Sequence, residues 1–148
     1  MRSRTIPMAL ESAAPSFDGF SKEAFRFLHG LKRHNNKEWF EEHREEYEIY
    51  LREPSKALAY SMGRYFMDHD IPAVANAKVS LFRIHRDIRF SKDKSPYKTH
   101  IGLNFPIAGT PKDAWCGYYV GFEPGSRAGT MTGFAGGGVY MPMAPQLK

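Results

Sequence analysis

KVSLFRIHRDIRFSKDKSPYKTHIGLNFPI, residues 78 to 107, is the stretch whose reading decides the fold. Before it, apolar residues recur every three or four positions, whereas within and after it they recur every two. Val79, Leu81, Arg83 and His85 share one face of an extended reading, and Phe82 and Ile84 share the other. Arg83 is therefore expected to begin beside Leu81, near the core. Ile101, Leu103, Phe105 and Ile107 then alternate onto one side, and Trp115 to Phe122 repeats the pattern with Cys116, Tyr118, Val120 and Phe122. These segments read as antiparallel strands. EPGS at Glu123 to Ser126 is turn chemistry, and GFAGGGVYMP reads as a last strand with a glycine bulge or a close backbone approach.

Upstream, the period is helical. Ser21 is a good N-cap, with Phe20 and Phe25 placed as a hydrophobic staple, and Ala24, Phe25, Leu28 and Leu31 form the stripe of a helix expected to stop near Gly30. Asn35 followed by Glu38 predicts a second start, with Phe40, His43, Tyr47, Tyr50 and Leu51 on one face. Pro54 suits a first helical turn, so a third helix is expected there, carrying Leu58, Met62, Tyr65 and Phe66. Helices followed by strands predict an α+β fold, a single domain in which N-terminal helices pack on an antiparallel sheet. The domain is expected over residues 17–148, helical over 17–68 and strand-rich over 78–141, after a disordered leader at 1–16. Phe25, Leu28, Phe40, Tyr47, Leu58, Leu81, Phe105 and Val120 are the expected buried set.

A length of 148 residues suits one such domain, and no apolar run approaches the roughly 20 residues of a membrane helix, so no membrane partner is expected. The leader lacks the apolar stretch of a secretory signal, and Cys116 stands alone, excluding an internal disulfide; a cytoplasmic location follows as the expectation. Six histidines show no HExxH or HxH pairing, so neither a metal nor a cofactor is expected. The triple glycine at 136 to 138 has neither the following Lys-Ser/Thr of a phosphate loop nor a βαβ setting.

Charge is the informative feature. Residues 83 to 98 hold six Arg and Lys against Asp87 and Asp93, which supplies +4 of the net +5 of the whole chain. Residues 37 to 53 hold seven Glu against three Arg and Lys, a balance of −4. Charge packed this densely is offset either by an anionic ligand or by internal carboxylates, and the acidic helix is an available counter-layer.

NNKEWFEEHREEYE, SLFRIHRDIRFSKDKSPYKTHIG and GGGVYMP, in that order, resemble a widespread domain-of-unknown-function family of bacterial and fungal proteins. The resemblance spans roughly Phe17 to Leu147, and its central RD followed by RFSKDKSPYKT is a long and specific signature. It implies an α+β domain of unassigned activity, and it carries over no catalytic residue. It also implies that related chains continue past GGGVYMP into further helices, so this chain reads as C-terminally short, and an apolar patch on one sheet face is expected.

The site expectation rests on the basic segment itself. Arg83, Arg86, Asp87, Arg89, Lys94, Tyr97 and Lys98 are the candidate ligand-binding residues, Arg83 and Lys98 foremost, because guanidinium forks and ammonium groups recognise phosphate and carboxylate. Ser91 and Ser95 are expected to line an anion cup in the intervening turn. A small anionic ligand is the expected partner, with an uncharacterised enzyme as one form of that function; no reaction or catalytic residue is legible. Nucleic-acid binding through the basic residues with Phe90 and Tyr97 is the alternative, alongside a protein-interaction module or a structural ion-pair network, and self-association is left open.

Overall fold

A computed structural model describes residues 15–110, 116–127 and 129–139. Most of the expected leader, Trp115 and the Tyr140–Pro142 part of the last signature lie outside the described residues. The helices come first: α1 (Lys22–Arg33), α2 (Lys37–Glu42), α3 (Arg44–Tyr47), α4 (Glu53–Asp68) and the single turn α5 (Ala77–Ser80). Three strands follow, β1 (Ile101–Pro106), β2 (Cys116–Pro124) and β3 (Met131–Val139), forming an antiparallel sheet in the order β1-β2-β3. The fold is α+β, a single domain with its helical layer on the sheet.

Ser21 caps α1 by accepting from the Ala24 amide at 3.4 Å. The helix does not stop at Gly30. It runs on to Arg33, because Gly30 faces the core: a Cβ there would stand 2.7 Å from Cζ2 of Trp39, so the missing side chain is what lets the indole lie on the helix. Phe27, outside the expected stripe, is the most enclosed aromatic of α1, ringed by Trp39, Phe40 and Tyr47 at 5.5, 6.3 and 6.1 Å between centroids. Asn36 rather than Asn35 caps α2, accepting from the Trp39 amide at 2.9 Å.

No break separates the second and third expected helices. α3 passes through a π-helical turn, Glu48–Arg52, directly into α4, with the Glu53 amide donating five residues back to the Glu48 carbonyl. Pro54 lacks a donor and its ring crowds the carbonyl four residues earlier, and the wider turn just before it accommodates both without ending the helix.

The extended segment expected from Val79 is corrected as well. Asn76 caps α5 through the Val79 amide at 2.9 Å, and Ser80 is buried with its hydroxyl accepting from the Asn76 amide at 3.1 Å. The chain then skirts the free edge of β1, touching it in one isolated bridge, Leu81 to Leu103, and a second bridge joins His85 to Tyr97 ahead of the strand. Leu81 packs half-buried on the core, while Arg83 is exposed rather than near it.

β1 behaves as its alternation predicts, burying Ile101, Leu103 and Phe105. Opposite them in register stand Phe122, Val120 and Tyr118; the first two pack on the core and Tyr118 is exposed. β3 pairs with β2 one residue to one from Cys116–Val139 to Pro124–Met131, so the glycines form no bulge. Of the expected buried set, Leu28, Phe40 and Phe105 are fully enclosed, and Phe25, Tyr47, Leu58, Leu81 and Val120 are partly buried against the same core.

Candidate functional site

The basic segment folds as a short hairpin. Its stem is an antiparallel pair in which the Arg86 amide donates to the Pro96 carbonyl at 2.9 Å and the Lys98 amide to the Ile84 carbonyl at 2.8 Å. This makes His85 and Tyr97 a pair without mutual hydrogen bonds, so the backbone groups of Tyr97 point away from His85. Asn35 satisfies both: its Nδ2 donates to the Tyr97 carbonyl at 2.9 Å and its Oδ1 accepts from the Tyr97 amide at 3.0 Å. The Tyr97 ring is buried, stacked on Phe40 with centroids 4.2 Å apart and planes 16° from parallel. Burial, with Glu41 nearby, raises its phenol above the ordinary tyrosine range. Tyr97 thus roots the hairpin in the helical layer.

At the tip, both arginines are paired locally. Arg86 donates through Nη1 to Asp93 at 2.7 Å and to the Ser95 carbonyl at 3.0 Å, and through Nη2 to the Ser91 hydroxyl at 3.4 Å. The Ser95 hydroxyl and amide donate to the other Asp93 oxygen at 2.6 and 2.9 Å. Those two donors, with Arg86 behind them, hold the Asp93 carboxyl down at about 2. Asp87 receives both arms of Arg89, Nε at 3.0 Å and Nη2 at 2.7 Å, which lowers its pKa. Lys94 donates to the Ile88 carbonyl at 2.8 Å. The serines expected to line an anion cup are turned inward onto Arg86 and Asp93.

The other end of the hairpin borders open space. A cleft of about 500 Å³ lies between the α3–α4 surface, with Arg44, Arg52 and Lys56, and the 77–85 segment, with Lys78, Phe82 and Arg83. A narrow slot of about 40 Å³ shares Arg52, Phe82 and Arg83 with it and adds Lys98 and His100. Each helical cation has a carboxylate about one turn earlier: Arg44 with Glu41 at 2.6 Å, Arg52 with Glu48 at 3.0 Å and Lys56 with Glu53 at 2.6 Å. The cations on this surface are therefore paired within their own helices, and no ion pair among the described residues joins the acidic helix to the hairpin. Among the described residues, the Arg83 guanidinium has no hydrogen-bond or ion-pair partner.

Lys98 sits behind Arg83, its Nζ donating to the Arg83 carbonyl at 2.8 Å and lying 5.2 Å from the Phe82 ring centre. Burial, with Arg83 adding to it, lowers its pKa below the ordinary lysine range. Burial likewise lowers His100, against an opposing influence from Glu123. Of the candidate ligand-binding residues, the structure brings Arg83 and Lys98 together at the narrow slot that adjoins the cleft, places Arg86, Asp87, Arg89 and Lys94 in the tip, and buries Tyr97 beneath. Sequence reading missed Arg52, Lys56, Lys78 and Phe82. Arg52 and Lys56 are one helical turn apart, but surface helices carry such pairs routinely, so spacing alone does not mark them. No group of three or more potential metal ligands occurs among the described residues, and none of the described helices is long and apolar enough to cross a membrane.

The architecture defines an α+β domain whose basic cleft lies between its helical layer and a charged hairpin. The family model described as "Conserved hypothetical protein (DUF2461)" matches residues 23–148, and the chain belongs to that family. No curated protein and no solved structure matches it.

Proposed function

We propose that this protein binds a small phosphate- or carboxylate-bearing molecule in the cleft, in the cytoplasm, with Arg83 as the principal contact and Lys98 beside it. The observation that carries this reading is the Arg83 guanidinium, which has no hydrogen-bond or ion-pair partner among the described residues, on the wall of a cleft of about 500 Å³ whose helical cations Arg44, Arg52 and Lys56 already have carboxylates. A guanidinium offers a planar fork to an oxyanion, and a charge-assisted hydrogen bond contributes about 1.5–3 kcal/mol, roughly ten- to hundredfold in affinity. Lys98 supports the same ligand. An anion raises the lysine pKa that burial and Arg83 depress, so binding takes up protons between the free and bound values. Affinity therefore holds below the free Lys98 pKa and falls as the pH rises through the alkaline range.

Thermal unfolding at fixed ionic strength tests the reading. Phosphate replacing chloride should raise the midpoint saturably in the wild type, and neither Arg83→Ala nor Lys98→Ala should show the effect while both keep their unliganded midpoints. No phosphate effect in the wild type would overturn it.

The nucleic-acid alternative draws on Phe90, which is 93% exposed at the hairpin tip with the Arg89 guanidinium 5.7 Å from its ring centre. Against it, Arg86 and Arg89 are already paired with Asp93 and Asp87. Oligonucleotide affinity that falls linearly with salt in logarithmic form, with a slope reduced by about one in Arg89→Ala, would favour this alternative.

A further inference from the structure

The cleft is larger and more apolar than an isolated oxyanion requires. Volumes of about 300–1,000 Å³ are typical of sites that enclose whole organic molecules, and this one, at about 500 Å³, is floored by Phe40, Tyr47, Leu81, Phe82 and Ile84 beneath its cations. Phe82 stands out among them. It borders both the cleft and the narrow slot, and it remains 47% exposed although the rest of its surroundings are built to hold it.

That support begins in the backbone. The bridge from Leu81 to Leu103 fixes the chain on the edge of β1, and Leu81 turns to the core. The Phe82 ring is directed over Gly102, where a Cβ would stand 3.2 Å from Phe82 Cδ2 and 2.6 Å from the Tyr119 hydroxyl. Glycine is thus what admits both rings to this side of β1. Tyr119 braces Phe82 with centroids 6.1 Å apart, and the Lys98 ammonium lies 5.2 Å from its ring centre. An aromatic ring held this way, half open in the same cleft as a guanidinium that has no hydrogen-bond or ion-pair partner among the described residues, presents a flat apolar surface on a wall that also carries a charge. Leaving it in water has a hydrophobic cost that a planar ligand group would remove.

We propose that the ligand of this cleft is an aromatic anion, a planar ring attached to its phosphate or carboxylate, with the ring on Phe82 and the anionic group at Arg83. The inference rests on the anion-binding reading and specifies its ligand class. The ring supplies the apolar contact and the oxyanion fixes its orientation, which is the division of labour expected where an apolar floor meets a few directed polar groups.

Calorimetric titration with inorganic phosphate, n-butyl phosphate and phenyl phosphate at one ionic strength tests it. Phenyl phosphate should bind wild type about tenfold or more tightly than inorganic phosphate, the weight of one ring stack. Butyl phosphate should fall short of phenyl phosphate. Phe82→Ala should lose the phenyl advantage, phenyl phosphate then binding no more tightly than inorganic phosphate, and Phe82→Trp should retain the advantage. Phosphate binding with no phenyl advantage in the wild type, or an equal gain from the butyl chain, overturns this inference alone. Failure of all three compounds to bind overturns it together with the anion site.

Discussion

The stem and the tip of the charged hairpin contain the same residue types and handle them in opposite ways. At the tip, Arg86 and Arg89 each close on an aspartate within seven residues, and Lys94 caps a carbonyl of the same loop. At the stem, Lys98 also turns to a carbonyl, but Arg83 is left facing the cleft. A run of six cations is therefore not one site. Local aspartates take up both tip arginines, and the stem presents a small cationic corner whose position depends on how firmly it is rooted in the helices.

That rooting yields the largest expected effect. Phe40 is buried beneath Tyr97, and Phe40→Ala should cost about 3–5 kcal/mol in urea unfolding by leaving a cavity under the stem. A loss below about 1 kcal/mol would mean that the stem is not anchored in the core. Next comes Asn35→Ala, which strips the Tyr97 amide and carbonyl of their partners and should cost about 1–3 kcal/mol. An unchanged midpoint would show that water replaces the Asn35 amide, and the contrast between rooted stem and self-contained tip would weaken.

Smaller effects are expected at the tip. The Asp93 carboxyl is held at about 2 in the folded chain against an ordinary 3.8, so its contribution is present above about pH 4 and fades as the pH falls toward 2. Carboxyl titration by NMR should reproduce that depression, and Asp93→Asn should remove this part of the acid dependence; an Asp93 titrating near 3.8 would break the ring of contacts around Arg86. Smallest of all, Arg89→Ala should leave the melting temperature unchanged, since its pair with Asp87 is solvent-exposed. A clear drop there would make the tip a structural network rather than a local neutralisation.

The sequence carried the helix-then-sheet order and the burial of β1, because alternation at Ile101, Leu103 and Phe105 meets no competing signal. It misplaced elements wherever one residue type serves two purposes. Gly30 reads as a stop but admits Trp39, and Asn35 reads as a cap but satisfies a strand 62 residues away. Pro54 reads as a start, yet the π-helical turn carries the helix through it. At the candidate site, the density of Arg and Lys between residues 83 and 98 was legible as a charged segment. The sorting of cations into paired and unpaired was not. It depends on which aspartate lies within reach once the hairpin closes, and on helical carboxylates that bond to their own neighbours instead of to the hairpin.

The central claim, that the two ends of the hairpin differ in what they leave available, is tested most directly by titrating phosphate into Arg83→Ala and Arg89→Ala side by side at constant ionic strength. Each variant loses one positive charge from the same segment, so general attraction falls equally in both. Phosphate affinity should drop about tenfold or more in Arg83→Ala and stay at the wild-type value in Arg89→Ala. Equal losses in the two variants would contradict the account.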